Sequence, residues 1–211
     1  MNKIFIEAGH KGTTEYNFIQ TILVKYFQRK EYEIVTMGCA ENLFNETNMN
    51  IISKANTKNV QVLVLVDADT VKKGWGYNKR KEWIEKGISK YKVSFQYFIY
   101  PNNQGDGDVE VLMESSARKD LHEYFFNCFN KYKECIVKRK DEREQSIYNS
   151  PDLKTELHAY IKAQTEYDVK NKIRKPLDIN NGNYLFDNPD YWNLDVENLQ
   201  PLKDFFKQYL K

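Results

Sequence analysis

"QVLVLVDADT", residues 61–70, runs five apolar residues into two aspartates separated by a single alanine. The apolar run does not alternate with polar residues, so the strand it predicts is covered on both faces. That is the pattern of a parallel sheet with helices packed above and below. Two carboxylates at the end of such a strand repel one another unless a proton or a cation intervenes. The same ten residues therefore raise a question of fold and a question of chemistry.

Working outward, the run "KIFIEA" predicts a strand over 3–8, "YEIVTMG" a strand over 32–38 and "VSFQYFIY" a strand over 93–100, stopped by Pro101. Between them the apolar spacing predicts helices over 13–30, 49–58 and 77–92, the last with a glycine at 87. Four strands thus alternate with three helices, which argues for a parallel sheet with right-handed crossovers. After Pro101 comes a polar, glycine-punctuated loop, "NNQGDGD", followed by one or two helices to about residue 140. Ser-Pro-Asp opens another helix read over 150–167, and a short amphipathic helix closes the chain. The expected fold class is α/β, a mainly parallel four-stranded sheet flanked by helices with a helical C-terminal half. The expected division is a core over 1–117 and a helical extension over 118–211 packed on it as a single compact unit.

Composition bounds the function classes. Of 211 residues, 41% are hydrophobic and 29% charged, and 32 basic against 30 acidic residues leave a net charge of +2. This balance neither requires nor forbids nucleic acid, since local patches decide. No run approaches the ~20 apolar residues of a membrane helix, so no membrane partner is expected. The amino-terminal segment carries Glu7 within its first strand and does not read as a signal peptide. Cys39, Cys128 and Cys135 are odd in number and lack metal spacing, as for reduced thiols in the cytoplasm. Cys128 and Cys135, seven apart in a helical stretch, are expected to face the core.

The acidic residues fall at the carboxyl ends of the predicted strands. Glu7 follows the first, Asp67 and Asp69 the third, and Asp106, Asp108, Glu110 and Glu114 come after the fourth. Ligands of open parallel sheets bind outside those ends. Carboxylates gathered there, with no clustered Cys or His, suit a hard cation such as Mg²⁺, Mn²⁺ or Ca²⁺. Such an ion polarises a phosphodiester and orients a water. Each acid also has an ordinary alternative, as a helix cap or a turn residue. The loop "GHKGTT", residues 9–14, lacks the spacing of an ATP-binding phosphate loop.

A glutamate ending the first strand, Asp-x-Asp ending a later one and a further acid after the next strand resemble the Toprim domain of topoisomerases, primases and nucleases of the overcoming-lysogenization-defect type. "FIEAGHKGTTEYNFIQTIL" is similar to the first Toprim motif and "VLVLVDAD" to the second. "YPNNQGDGDVEVLMES" and the tail "YWNLDVENLQPLKDFFKQYL" are similar to an uncharacterised Toprim-related family of standalone bacterial proteins. The resemblance implies a Rossmann-like Toprim fold. It implies Glu7, Asp67 and Asp69 as catalytic acids that bind Mg²⁺ or Mn²⁺, with Glu15, Asp108 and Glu110 as further ligands. His10, Lys11 and Lys73 become candidates for contact with substrate phosphate, and Arg80 a further basic candidate, read as a surface residue. Here Glu7-Ala8-Gly9 replaces the usual Glu-Gly, and "HKGT" lengthens the loop before Glu15. The expected activity is a divalent-metal-dependent nuclease on nucleic acid. The alternative is a non-catalytic Toprim-like protein that binds nucleic acid or a partner, acting with a separate ATPase. The sequence leaves the oligomeric state open.

Overall fold

The computed structural model describes residues 1–177, 179 and 183–210. Four strands form one sheet: β1 (Asn2–Ile6), β2 (Tyr32–Thr36), β3 (Val62–Asp67) and β4 (Gln96–Tyr100). Their order is β2-β1-β3-β4 and every pairing is parallel. The chain moves from β1 to β2 on one side and then to β3 on the other. The sheet therefore changes winding direction beside β1, and a crevice opens between the carboxyl ends of β1 and β3.

Helices α1 (Thr14–Tyr26), α2 (Glu46–Thr57), α3 (Tyr77–Tyr91) and α4 (Val109–Ser116) follow the strands in turn. Each carries its apolar residues on one side. On one face of the sheet Phe5, Val62, Val64, Val66 and Ile99 pack with Leu43, Met49, Ile52 and Ile84. Leu63 and Leu65 point the other way and are also sealed from solvent, so β3 is buried on both faces. Helix α2 begins earlier than its weak apolar pattern predicts. The Asn45 side chain accepts a hydrogen bond from the Asn48 amide at 2.8 Å and caps it.

The chain forms two compact units. The first takes in Met1–Ser116 and returns from Leu194 onward; the second holds most of the chain between. The returning segment carries α7 (Gln200–Tyr209), whose Phe206 ring meets Phe27 and whose Phe205 ring meets Phe98. Just before it, Asp195 accepts hydrogen bonds from the Tyr26 hydroxyl at 2.5 Å and from Lys25 at 3.0 Å. These donors draw the Asp195 carboxyl down to about 2.

In the second unit α5 (Glu123–Ile136) and α6 (Leu153–Lys162) precede a two-stranded antiparallel sheet, β5 (Thr165–Asp168) and β6 (Ile173–Pro176). The helix read over 150–167 therefore stops at Lys162, because Thr165, Tyr167 and Val169 begin a β-favouring alternation that pairs across a turn. Tyr191 and Trp192 are buried in this unit. The Trp192 ring stands against Tyr160, and the Tyr160 hydroxyl donates to the Tyr191 carbonyl at 3.0 Å. Cys128 and Cys135 are exposed, not in a core. They lie two and nine residues beyond Phe126, the buried residue of α5, which is about half a turn round the helix from it. No helix among the described residues is long and apolar enough to cross a membrane.

Candidate functional site

Glu7 is the first residue after β1. Its Oε1 accepts the Asp67 amide at 2.7 Å and its Oε2 accepts the Ala40 amide at 3.1 Å. One side chain thus ties the end of β3 to the segment after β2. Burial pushes the Glu7 carboxyl up to about 7, against the Asp67 amide and the Arg80 charge, which lower it. Asp67 ends β3, and its Oδ1 accepts the amide of Val109, the first residue of α4, at 2.9 Å. Burial raises the Asp67 carboxyl well above the usual range, and the charges of Glu7, Glu15, Glu110 and Asp108 raise it further.

Those same acids surround a phenol. Tyr100 ends β4 in register with Asp67 and is completely buried. Among the described residues its hydroxyl has no hydrogen-bond partner, and burial followed by the fields of Glu15, Asp67, Glu7 and Glu110 makes its ionisation far harder than usual. Asp108 has its Oδ1 buried and without a hydrogen-bond partner among the described residues, and burial raises its carboxyl too.

Asp69 is placed differently. It sits at φ +58°, in the left-handed region, where its backbone exchanges two hydrogen bonds with Gly107 at 2.8 and 2.9 Å. One carboxylate oxygen meets Arg80 at 3.0 Å and the other meets Lys73 at 3.0 Å. Arg80 is not a surface residue: its side chain is 1% exposed. It donates to the Asp67 carbonyl at 2.9 Å, pairs with Glu41 at 3.2 Å and lies over the Trp75 ring at 3.9 Å. The clue in the sequence was a tryptophan on either side of the arginine, Trp83 three residues on along the helix and Trp75 just before the helix begins, since planar guanidinium groups stack on indoles. Asp106 caps α3, accepting the Tyr77 amide at 2.8 Å. His10 and Lys11 lie in the exposed loop after Glu7, where the His10 Nδ1 is 2.8 Å from the Lys11 carbonyl, and neither joins the bonds just described.

The donor chemistry fits a hard divalent cation: oxygen ligands alone, carboxyls held back from ionising by burial and mutual repulsion, and, among the described residues, a buried Tyr100 hydroxyl and Asp108 Oδ1 that no hydrogen bond takes up. The side chains as they lie are not closed on an ion. Among the described residues no group of three or more His, Cys, Asp or Glu stands in ligating array. The reason is visible in the bonding, since Glu7 spends both oxygens and Asp67 one on backbone amides.

Comparison with curated proteins gives no match, and comparison with solved structures gives none. The family match begins at residue 11, so it covers Asp67, Asp69, Asp108 and Glu110 and starts just after Glu7. From residue 11 to residue 211 this chain belongs to the family described as a protein of unknown function, DUF3226.

Proposed function

We propose that this chain is a divalent-cation-dependent phosphodiester enzyme acting on nucleic acid, a nuclease of the Toprim kind. The observation that carries the reading is the gathering of Glu7, Glu15, Asp108 and Glu110 within electrostatic reach of Asp67, at the crevice where the sheet reverses its winding. Glu7 and Asp67, with Glu15 and Glu110, would hold Mg²⁺ or Mn²⁺, and Asp108 would support a second ion. The chemistry such an ion would supply there is polarisation of a phosphodiester and activation of a water. The protein's own residues set the frame. Arg80 fixes the strand end through the Asp67 carbonyl and offsets the negative charge. Lys73, half-anchored on Asp69 and mostly exposed, offers an ammonium to a substrate phosphate. Asp69, engaged by Arg80 and Lys73, positions those cations in this reading.

Calorimetric titration with Mn²⁺ should give a binding heat that Asp67→Asn abolishes, and the protein with Mn²⁺ should cut labelled DNA or RNA while Asp67→Asn does not. Equal cutting by the variant would remove Asp67 from the chemistry.

A second reading has its own support. Amide-bound Glu7 and an α4-capping Asp67 are roles that need no ion, as expected of a non-catalytic module that binds nucleic acid or a partner, an ATPase among them. No heat with Mn²⁺ and no cutting would select that reading.

A further inference from the structure

The β5–β6 hairpin has no counterpart in the site just described. Among the described residues its two strands have no third strand beside them, and seven of their eight residues are exposed. Tyr167 is 55% exposed, Val169 78% and Ile173 57%. An isolated two-stranded sheet is marginal in water and gains little by keeping such side chains wet.

Its charges are sorted. In the antiparallel register Tyr167 lies opposite Arg174, and Glu166 opposite Lys175. Paired residues share a face, so Tyr167 and Arg174 stand together on one side and both acids of the strands on the other. There Glu166 meets Lys175 at 3.1 Å. Asp168 is taken up by the turn, accepting the amides of Lys170 at 3.0 Å and Asn171 at 3.1 Å and the Asn171 side chain at 2.9 Å. The acids are thus spent inside the hairpin while Lys170 and Lys172 are exposed to solvent. Arg174 is exposed too, and one arm of its guanidinium donates at 3.4 Å to the Thr165 carbonyl and at 3.3 Å to the Thr165 hydroxyl, partners without charge that leave its positive charge unneutralised. Lys172 is held at φ +54°, where asparagine or glycine costs less, so turn geometry does not account for a lysine there.

We propose that this hairpin is a docking surface for single-stranded nucleic acid, with Tyr167 stacking on an unpaired base and Arg174, Lys170 and Lys172 meeting the flanking phosphates. An exposed ring beside a planar cation, on a face free of acids, matches a strand that offers bases and negative charge in alternation. An anionic lipid surface fits less well, because Tyr167 and Ile173 lie on opposite faces and give no single apolar side. The inference does not rest on the ion reading above.

The test uses the full chain in EDTA and a labelled oligothymidylate, followed by fluorescence anisotropy over a range of salt. Tyr167→Ala should weaken binding about tenfold. Lys170→Gln with Lys172→Gln should flatten the slope of log affinity against log salt by about 1.4, at ~0.7 for each phosphate no longer neutralised. The charge-matched pair Lys154→Gln with Lys162→Gln, on α6 of the same unit, should leave binding within about twofold. Circular dichroism checks that each variant is folded. The proposal is overturned if the wild-type chain does not bind the oligonucleotide, if the α6 pair weakens binding as much as the hairpin pair, or if only anionic vesicles bind.

Discussion

Glu7 carries two opposed demands. Two amides favour its ionised form, yet burial lifts its carboxyl to about 7 from an ordinary 4.5. It therefore holds a proton more tightly folded than unfolded. The stability this confers is fully present below about 4.5 and is lost as pH rises through about 7. Asp67, raised as well, acts in the same direction. In EDTA, urea unfolding should show the chain more stable near pH 5.5 than near pH 8, by on the order of 2 kcal/mol from Glu7, since each tenfold change in proton affinity is worth about 1.4 kcal/mol and the gain is lost above about 7. Glu7→Gln should flatten that difference; a midpoint that does not move with pH in the wild type would mean that Glu7 is ionised and well solvated. The positions of Glu7 and Asp67 at adjoining strand ends were legible, because a strand's end shows in its apolar run. The bonds those carboxylates make were not, since amide donors from Ala40 and Val109 leave no mark on the identity of either residue. Arg80 looked like one more cation in a lysine-rich helix; only its neighbours Trp75 and Trp83 told otherwise.

Elements were legible where periodicity was strong and blurred where one residue decides. The four strands of the parallel sheet could be read because each is an apolar run closed by a polar or turn residue. The β5–β6 hairpin could not, because a helix and a strand built from Thr, Glu and Tyr look alike until a partner strand is known. Helix α3 shows how a single position sets the packing of an element. At Gly87 a Cβ would overlap the ring of Phe44, which lies 4.9 Å from Trp83 and 5.5 Å from Tyr91, centroid to centroid. Alanine in place of glycine ordinarily stabilises a helix interior by about 1 kcal/mol. Here overpacking reverses the sign, and Gly87→Ala should cost about 1–3 kcal/mol in thermal or urea unfolding followed by circular dichroism. A stabilised variant would mean that Phe44 yields freely.

At the scale of the whole molecule, the helical character of the second half was readable, but the return of the last helix was not. Nothing in the local pattern of α7 says which core its Phe205 and Phe206 will join; rings on β4 and just beyond α1 do. The second unit begins and ends side by side. Ala117 bridges Trp192 in antiparallel fashion, and the Arg118 amide donates to the Tyr191 carbonyl at 2.9 Å. Replacing most of Ala117–Asn193 by a Gly-Ser linker of about four residues should therefore leave the parallel sheet and α7 folded, with one cooperative thermal transition. Loss of that transition would show that the sheet leans on the excised residues. The paired ends make the middle of this gene a cassette: sequence can be lengthened, shortened or exchanged there while the chain on either side still meets at the same doorway, so this is where close homologues should differ most in size.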